Sequence, residues 1–190
     1  MIQRLMTVEE FAMNRSELPD GGQWAELVRG VPVTLEPPDV DHGNVVLNLS
    51  KAFATYVQET LHGYPCFDLG LHVQERPDTV LFPAASYFVE GERFAEADRD
   101  ITATVPVLVV ELVAAGARQM AVEDRVKAYM QRGTRIVWLI DPVQRVVHVV
   151  EQGVVEAKRI SEFETLVGAP VLPSFKLKVS ELFVIPEWAR

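Results

Sequence analysis

Glu111 stands inside Val107-Leu108-Val109-Val110-Glu111-Leu112-Val113, a run that is otherwise apolar and rich in valine. A carboxylate in such a strand is costly to bury unless something pairs with it. It must therefore face a polar pocket or form a buried ion pair with an arginine on a helix. Arg118, Arg125 and Arg132 recur at seven-residue steps, which on a helix sets the last two on one face with Tyr129 between them. Such a stripe can grip phosphates, or, more commonly, satisfy nearby carboxylates. Glu26 offers a second acid, either lining a site or forming a strand-edge salt bridge. His42 lies where a helix is expected to start, a place where histidine more often caps or packs than reacts. Glu36, Asp39 and Asp41 could lend a metal ligand, although a solvated turn is the commoner use of such a loop. His62, His72 and His148 lack ligand spacing and argue against zinc. Cys66, the only cysteine, can form no intramolecular disulfide and reads as a buried thiol. Trp138 reads as core, and Lys176 and Lys178 as facing water.

The chain that must position these groups has 190 residues, of which 48% are hydrophobic. One domain over residues 1–190 is expected, with a core of its own. Eighteen Lys and Arg against 27 Asp and Glu leave a net charge of −9, so nucleic-acid binding would need a local basic face. The longest apolar stretch, Val105 to Leu112, is interrupted by Pro106 and Glu111 and is far short of the roughly 20 residues that span a bilayer. The first ten residues turn acidic before any apolar segment develops. A cytoplasmic protein without a membrane partner is the expectation.

Thr7 and Glu10 have capping-box spacing and predict a helix from Val8, ending before Leu18-Pro19-Asp20-Gly21-Gly22. Trp24 to Arg29 and Val31 to Leu35 predict a hairpin around Gly30. Val45, Leu49, Phe53, Val57 and Leu61 recur every four residues and predict an amphipathic helix from about His42 to Thr60. Phe67 to Gln74 and Val80 to Val89 are strand candidates, and Glu90 to Asp100 a solvated charged loop. Val107 to Val113 belongs at a sheet centre. A helix through Val122, Val126, Tyr129 and Met130 stops at Gly133, before a central strand from Arg135 to Ile140. Val146 to Val150 and Val154 to Ile160 form an antiparallel ribbon, and Pro173 to Phe183 a last strand and turn. These alternations predict an α/β (α+β) fold, a mixed central β-sheet flanked by helices.

At Trp24-Ala25-Glu26-Leu27-Val28-Arg29-Gly30, His42, Pro83, Val109-Val110-Glu111-Leu112 and Tyr129…Gly133…Trp138-Leu139-Ile140-Asp141-Pro142, the chain resembles a bacterial family of restriction-endonuclease-type proteins, the Uma-two family. The resemblance runs from Thr7 to Phe183. It implies a branch of the PD-(D/E)XK nuclease superfamily and a restriction-endonuclease-like core. It also implies Mg²⁺ or Mn²⁺ if the protein is active, DNA as a partner, and a homodimer. In such a site two acidic side chains at neighbouring strand ends hold a divalent cation that activates water, and a lysine neutralises developing charge.

The resemblance implies an aspartate after the strand proline, a glutamate in the central apolar strand and a lysine on the following helix. Glu111 keeps the glutamate and would be the metal ligand. Ala84 stands at the aspartate position, and a methyl group cannot bind metal. Arg125, fourteen residues after Glu111 and four before Tyr129, stands at the lysine position. Its guanidinium keeps the charge but cannot transfer protons. Lys127, about 200° away around the helix, is expected to point elsewhere. Ala114-Ala115, Ala121 and Val31 are further losses of polar groups. Glu26, His42 and Tyr129 match family positions and complete the candidate set. Losses gathered at polar positions, on an intact scaffold, predict a decayed nuclease with a binding or assembly role. The alternatives are an active divalent-metal-dependent endonuclease with compensating carboxylates, and a partner-binding protein that never touches DNA.

Overall fold

The computed structural model describes residues 4–113 and 120–187. Ala114, Ala115 and Arg118 lie outside the described residues. Helix α1 (Val8–Asn14) starts as its spacing predicts: Thr7 Oγ1 accepts from the Glu10 N–H at 3.2 Å, and Glu10 Oε2 accepts from the Thr7 N–H at 3.1 Å. Two 3₁₀ turns lead to the hairpin of β1 (Ala25–Val28) and β2 (Val31–Thr34). Asp39 caps α2 (Val40–Thr60) through the His42 N–H at 2.8 Å. Then follow β3 (Tyr64–Cys66), β4 (Gly70–Gln74), β5 (Thr79–Leu81), β6 (Ala85–Phe88), β7 (Ile101–Thr102) and β8 (Leu108–Leu112). Helix α3 (Val122–Arg132) ends at Gly133, whose φ of 113° suits a residue without Cβ. After it come β9 (Ile136–Asp141), β10 (Val146–Glu151), β11 (Lys158–Ser161), β12 (Thr165–Val167), β13 (Lys176–Lys178) and α4 (Val179–Leu182).

The strands form a five-stranded sheet in the order β2-β1-β5-β4-β7, a six-stranded sheet in the order β11-β10-β9-β8-β6-β3, and a β12-β13 ribbon. Both larger sheets are mixed, with β4 parallel to β7 and β8 parallel to β9. Alternation along β8 decides which helix covers which face. Leu108, Val110 and Leu112 meet Val45, Leu49 and Phe53 of α2, with Trp138 fully buried among them. Val109 points the other way, to Ala128 and Tyr129 of α3. The mixed α+β architecture agrees with the sequence reading.

Three expectations need correction. Val80 to Val89 is not one strand. The chain leaves the five-stranded sheet after Leu81 and enters the six-stranded sheet at Ala85, through Phe82-Pro83-Ala84. Proline, lacking an N–H, suits the break. Glu26 is not at a sheet edge, because β1 pairs with both β2 and β5. The Glu90 to Asp100 loop is not wholly solvated: Glu96 is buried, accepting from Thr104 Oγ1 at 2.8 Å and pairing with Arg99 at 3.2 Å.

Candidate functional site

β8 carries Glu111 toward the α3 face, and α3 presents Arg125 and Tyr129 one turn apart on the side that packs against it. β1 brings Glu26 from the other large sheet. These four side chains meet. Arg125 Nε donates to Glu111 Oε1 at 2.8 Å, and Nη2 lies in ion-pair contact with the same oxygen at 2.7 Å. Its Nη1 and Nη2 donate to Glu26 Oε2 and Oε1 at 2.6 and 2.9 Å, a two-pronged grip on the second carboxylate. Tyr129 O–H donates to Glu111 Oε1 at 2.5 Å, and the Phe82 N–H donates to Glu26 Oε1 at 2.9 Å. Glu26, Glu111, Arg125 and Tyr129 are each at most 2% exposed, so the cluster is sealed from water.

Burial taken alone would depress the Arg125 pKa, but the charges of Glu111, Tyr129 and Glu26 raise it well above the usual arginine value. Burial raises the Tyr129 phenol well above its usual range, and the adjoining carboxylates add to the shift against the opposing pull of Arg125. Both groups are therefore held in their protonated forms: a fixed cation and a fixed hydroxyl donor.

The other candidates are placed as follows. Ala84 is half-buried against the core and immediately precedes β6. The β6–β8 register pairs Ala85, the first residue of β6, with Val110, the residue before Glu111. His42 is half-buried in the first turn of α2, the helix that covers the other face of the six-stranded sheet. Lys127 is exposed and lies 3.6 Å from Asp124, so it points away as its helical angle requires. Arg132 is also exposed and donates to the Ala103 carbonyl at 3.5 Å. Ala121 is the N-cap of α3 and offers no side-chain bond. Sequence reasoning missed the Phe82 N–H that holds Glu26, and no local signal announces it, since the two residues are 56 apart in the chain. Among the described residues, no group of three or more His, Cys, Asp or Glu is arranged to hold a metal ion.

The mixed sheets and flanking helices define a nuclease-like fold. The crystal structure of a "putative nuclease belonging to DUF820" from Anabaena variabilis ATCC 29413 superposes with a TM-score of 0.75 at 21% identity, over 94% of this chain and 97% of that one. The Uma2 family, described as "Putative restriction endonuclease", matches residues 9–180, and the chain belongs to that family. No curated protein matches it.

Proposed function

We propose that this chain is a restriction-endonuclease-type protein of the PD-(D/E)XK superfamily, folded as one domain over residues 1–190, whose phosphodiester-cleaving chemistry is weak or absent. Its role would then be binding or assembly, as a homodimer. The observation that carries this reading is the Arg125 guanidinium, bonded to Glu26 and Glu111 at once.

A divalent cation at such a site would bind the phosphate and lower the pKa of a bound water. The residues present do not suit one. Magnesium needs carboxylate oxygens free to coordinate it. Here Glu26 Oε1 and Oε2 and Glu111 Oε1 all take N–H donors from Arg125. The position at which the resemblance implies an aspartate carries a methyl group, Ala84. The arginine supplies positive charge in place of a bound ion, and its fixed proton leaves it no part in general base catalysis.

A plasmid-nicking assay with Mg²⁺ or Mn²⁺ tests the reading. The unaltered protein is expected to leave supercoiled plasmid intact, and Ala84→Asp combined with Arg125→Lys to gain cleavage. A fully active unaltered protein would refute it.

The convergence of two carboxylates favours a second reading, an active metal-dependent endonuclease in which Glu111, Glu26 and an acidic loop residue compensate for Ala84. Specific Mn²⁺ uptake in calorimetry, abolished by Glu111→Ala, would support it. The net charge of −9 favours a third, a partner-binding protein that does not engage DNA. Its signature is the absence of any salt-dependent DNA shift even at low salt.

A further inference from the structure

The face of the five-stranded sheet turned away from Glu26 carries a cavity that the nuclease reading does not use. Alternation along β4 sends Leu71 and Val73 toward α3 and His72 to the opposite side, where the β4–β5 register sets it opposite Val80. Val80 packs there with Leu27 and with Phe11 of α1. The β4–β5 turn and the segment leading into α1 border a cavity of about 790 Å³, inside the roughly 300–1,000 Å³ usual for small-molecule sites.

Leu5, Met6, Val8 and Pro77 give the cavity an apolar wall. Asp78 and His72 are largely buried in it, their side chains 15% and 11% exposed. Two backbone donors fix Asp78: the Val8 N–H reaches Oδ2 at 2.8 Å and the Arg76 N–H reaches Oδ1 at 3.3 Å. His72 Nε2 is buried, lies 3.5 Å from Asp78 Oδ1 and makes no hydrogen bond among the described residues. Glu9 and Glu75 line the same cavity and are exposed.

We infer that this cavity binds a small primary amine with an apolar body. The inference stands apart from the nuclease reading, since it uses no member of the Glu26 cluster.

Charge and hydrogen-bonding capacity both select that class. Glu9, Glu75 and Asp78 against Arg76 leave the wall two charges negative when His72 is neutral. An ionised Asp78 favours the His72 proton on Nε2 and leaves Nδ1 an acceptor. The wall is thus rich in acceptors, and an ammonium group brings three donors and no acceptor. The positive end of α1 does not reverse this, because Asp78 and Thr7 already take the Val8 and Glu10 N–H groups. A metal ion is the poorer occupant: among the described residues, no three of the acids and histidines are arranged to hold one. The apolar wall adds a second requirement, a hydrocarbon body beside the charge.

Titration of the full chain at pH 7 in about 0.15 M salt, followed by amide resonances in NMR, tests the assignment. Phenethylamine should bind with a dissociation constant on the order of 1 mM and shift residues 5–9 and 72–78. Its neutral and anionic counterparts, phenethyl alcohol and hydrocinnamate, should bind at least about tenfold more weakly, and so should methylammonium, which lacks the apolar body. Glu9→Gln combined with Glu75→Gln should weaken phenethylamine by a similar factor and leave the circular dichroism melt unchanged, since both side chains are exposed. Phenethyl alcohol binding as tightly as phenethylamine would overturn the amine class. Methylammonium binding as tightly would reduce the effect to general attraction by an acidic protein. Shifts elsewhere in the chain, or affinity that the paired substitution leaves unchanged, would overturn the site.

Discussion

Replacing Arg125 by methionine keeps most of the volume of the side chain and removes the only cation bonded to both Glu26 and Glu111 in the described cluster. The donors lost are Nε, Nη1 and Nη2, which together make contacts of 2.6 to 2.9 Å to two carboxylates that are themselves 1% and 2% exposed. Removing one partner of a buried ion pair costs about 3–5 kcal/mol, because the remaining charge is stranded away from water. That is a large share of the roughly 5–15 kcal/mol that holds a domain folded. For a chain of this size it corresponds to a fall of roughly 10 °C in melting temperature, read by calorimetry at pH 7. Acidification neutralises the carboxylates that lose the guanidinium and should narrow the gap. The triple variant Glu26→Leu, Glu111→Leu, Arg125→Met should recover most of the loss, since apolar residues of similar size commonly replace buried ion pairs without penalty. Mn²⁺ should raise the melting temperature of Arg125→Met and leave that of the unaltered protein unchanged, if the guanidinium stands where a cation would otherwise be needed. An Arg125→Met melting temperature within about 2 °C of the unaltered protein would refute the reasoning, because the carboxylates would then have needed no arginine.

Two further outcomes follow from groups outside the cluster. Burial by itself would raise the Asp78 pKa, but the Val8 and Arg76 N–H groups and nearby His72 outweigh it and hold the carboxyl below its usual value. A depressed folded-state pKa contributes stability that is present above the unfolded value of about 3.9 and lost as pH falls through the folded value. Asp78→Asn should therefore lower stability by about 1 kcal/mol at pH 7, with the difference shrinking below about pH 4; urea midpoints against pH measure it, and parallel curves would contradict it. Burial, with Glu96 adding to it, pushes the Cys66 thiol up to about 11. Only about 0.1% would be thiolate at pH 8, so Ellman's reagent should react slowly with the native protein and at once in denaturant; equal rates would disprove the burial.

Much of the fold was legible because it is written in neighbours along the chain. Thr7 and Glu10 cap a helix three residues apart, β8 is a compact apolar run, and Gly133 stops α3 where a left-handed residue is needed. The pairing of Glu111 with an arginine was legible only as one of two alternatives, since the cost of a buried carboxylate demands a partner but does not name one. Apolar character alone hid the division of Val80 to Val89 between two sheets, because each half is equally suited to a buried strand and only Pro83 hints at the break.

The amino-acid sequence by itself determined that Ala84 cannot ligate a metal and that Arg125 cannot act as a base, because these are properties of the side chains wherever they sit. It determined too that Arg125 and Tyr129 share a helix face, since the helical repeat settles that locally. Only the tertiary structure decided that Glu26, 99 residues away from Arg125, closes the cluster from the other sheet. Contacts across that distance depend on how the sheets pack, and no periodicity in the chain encodes them.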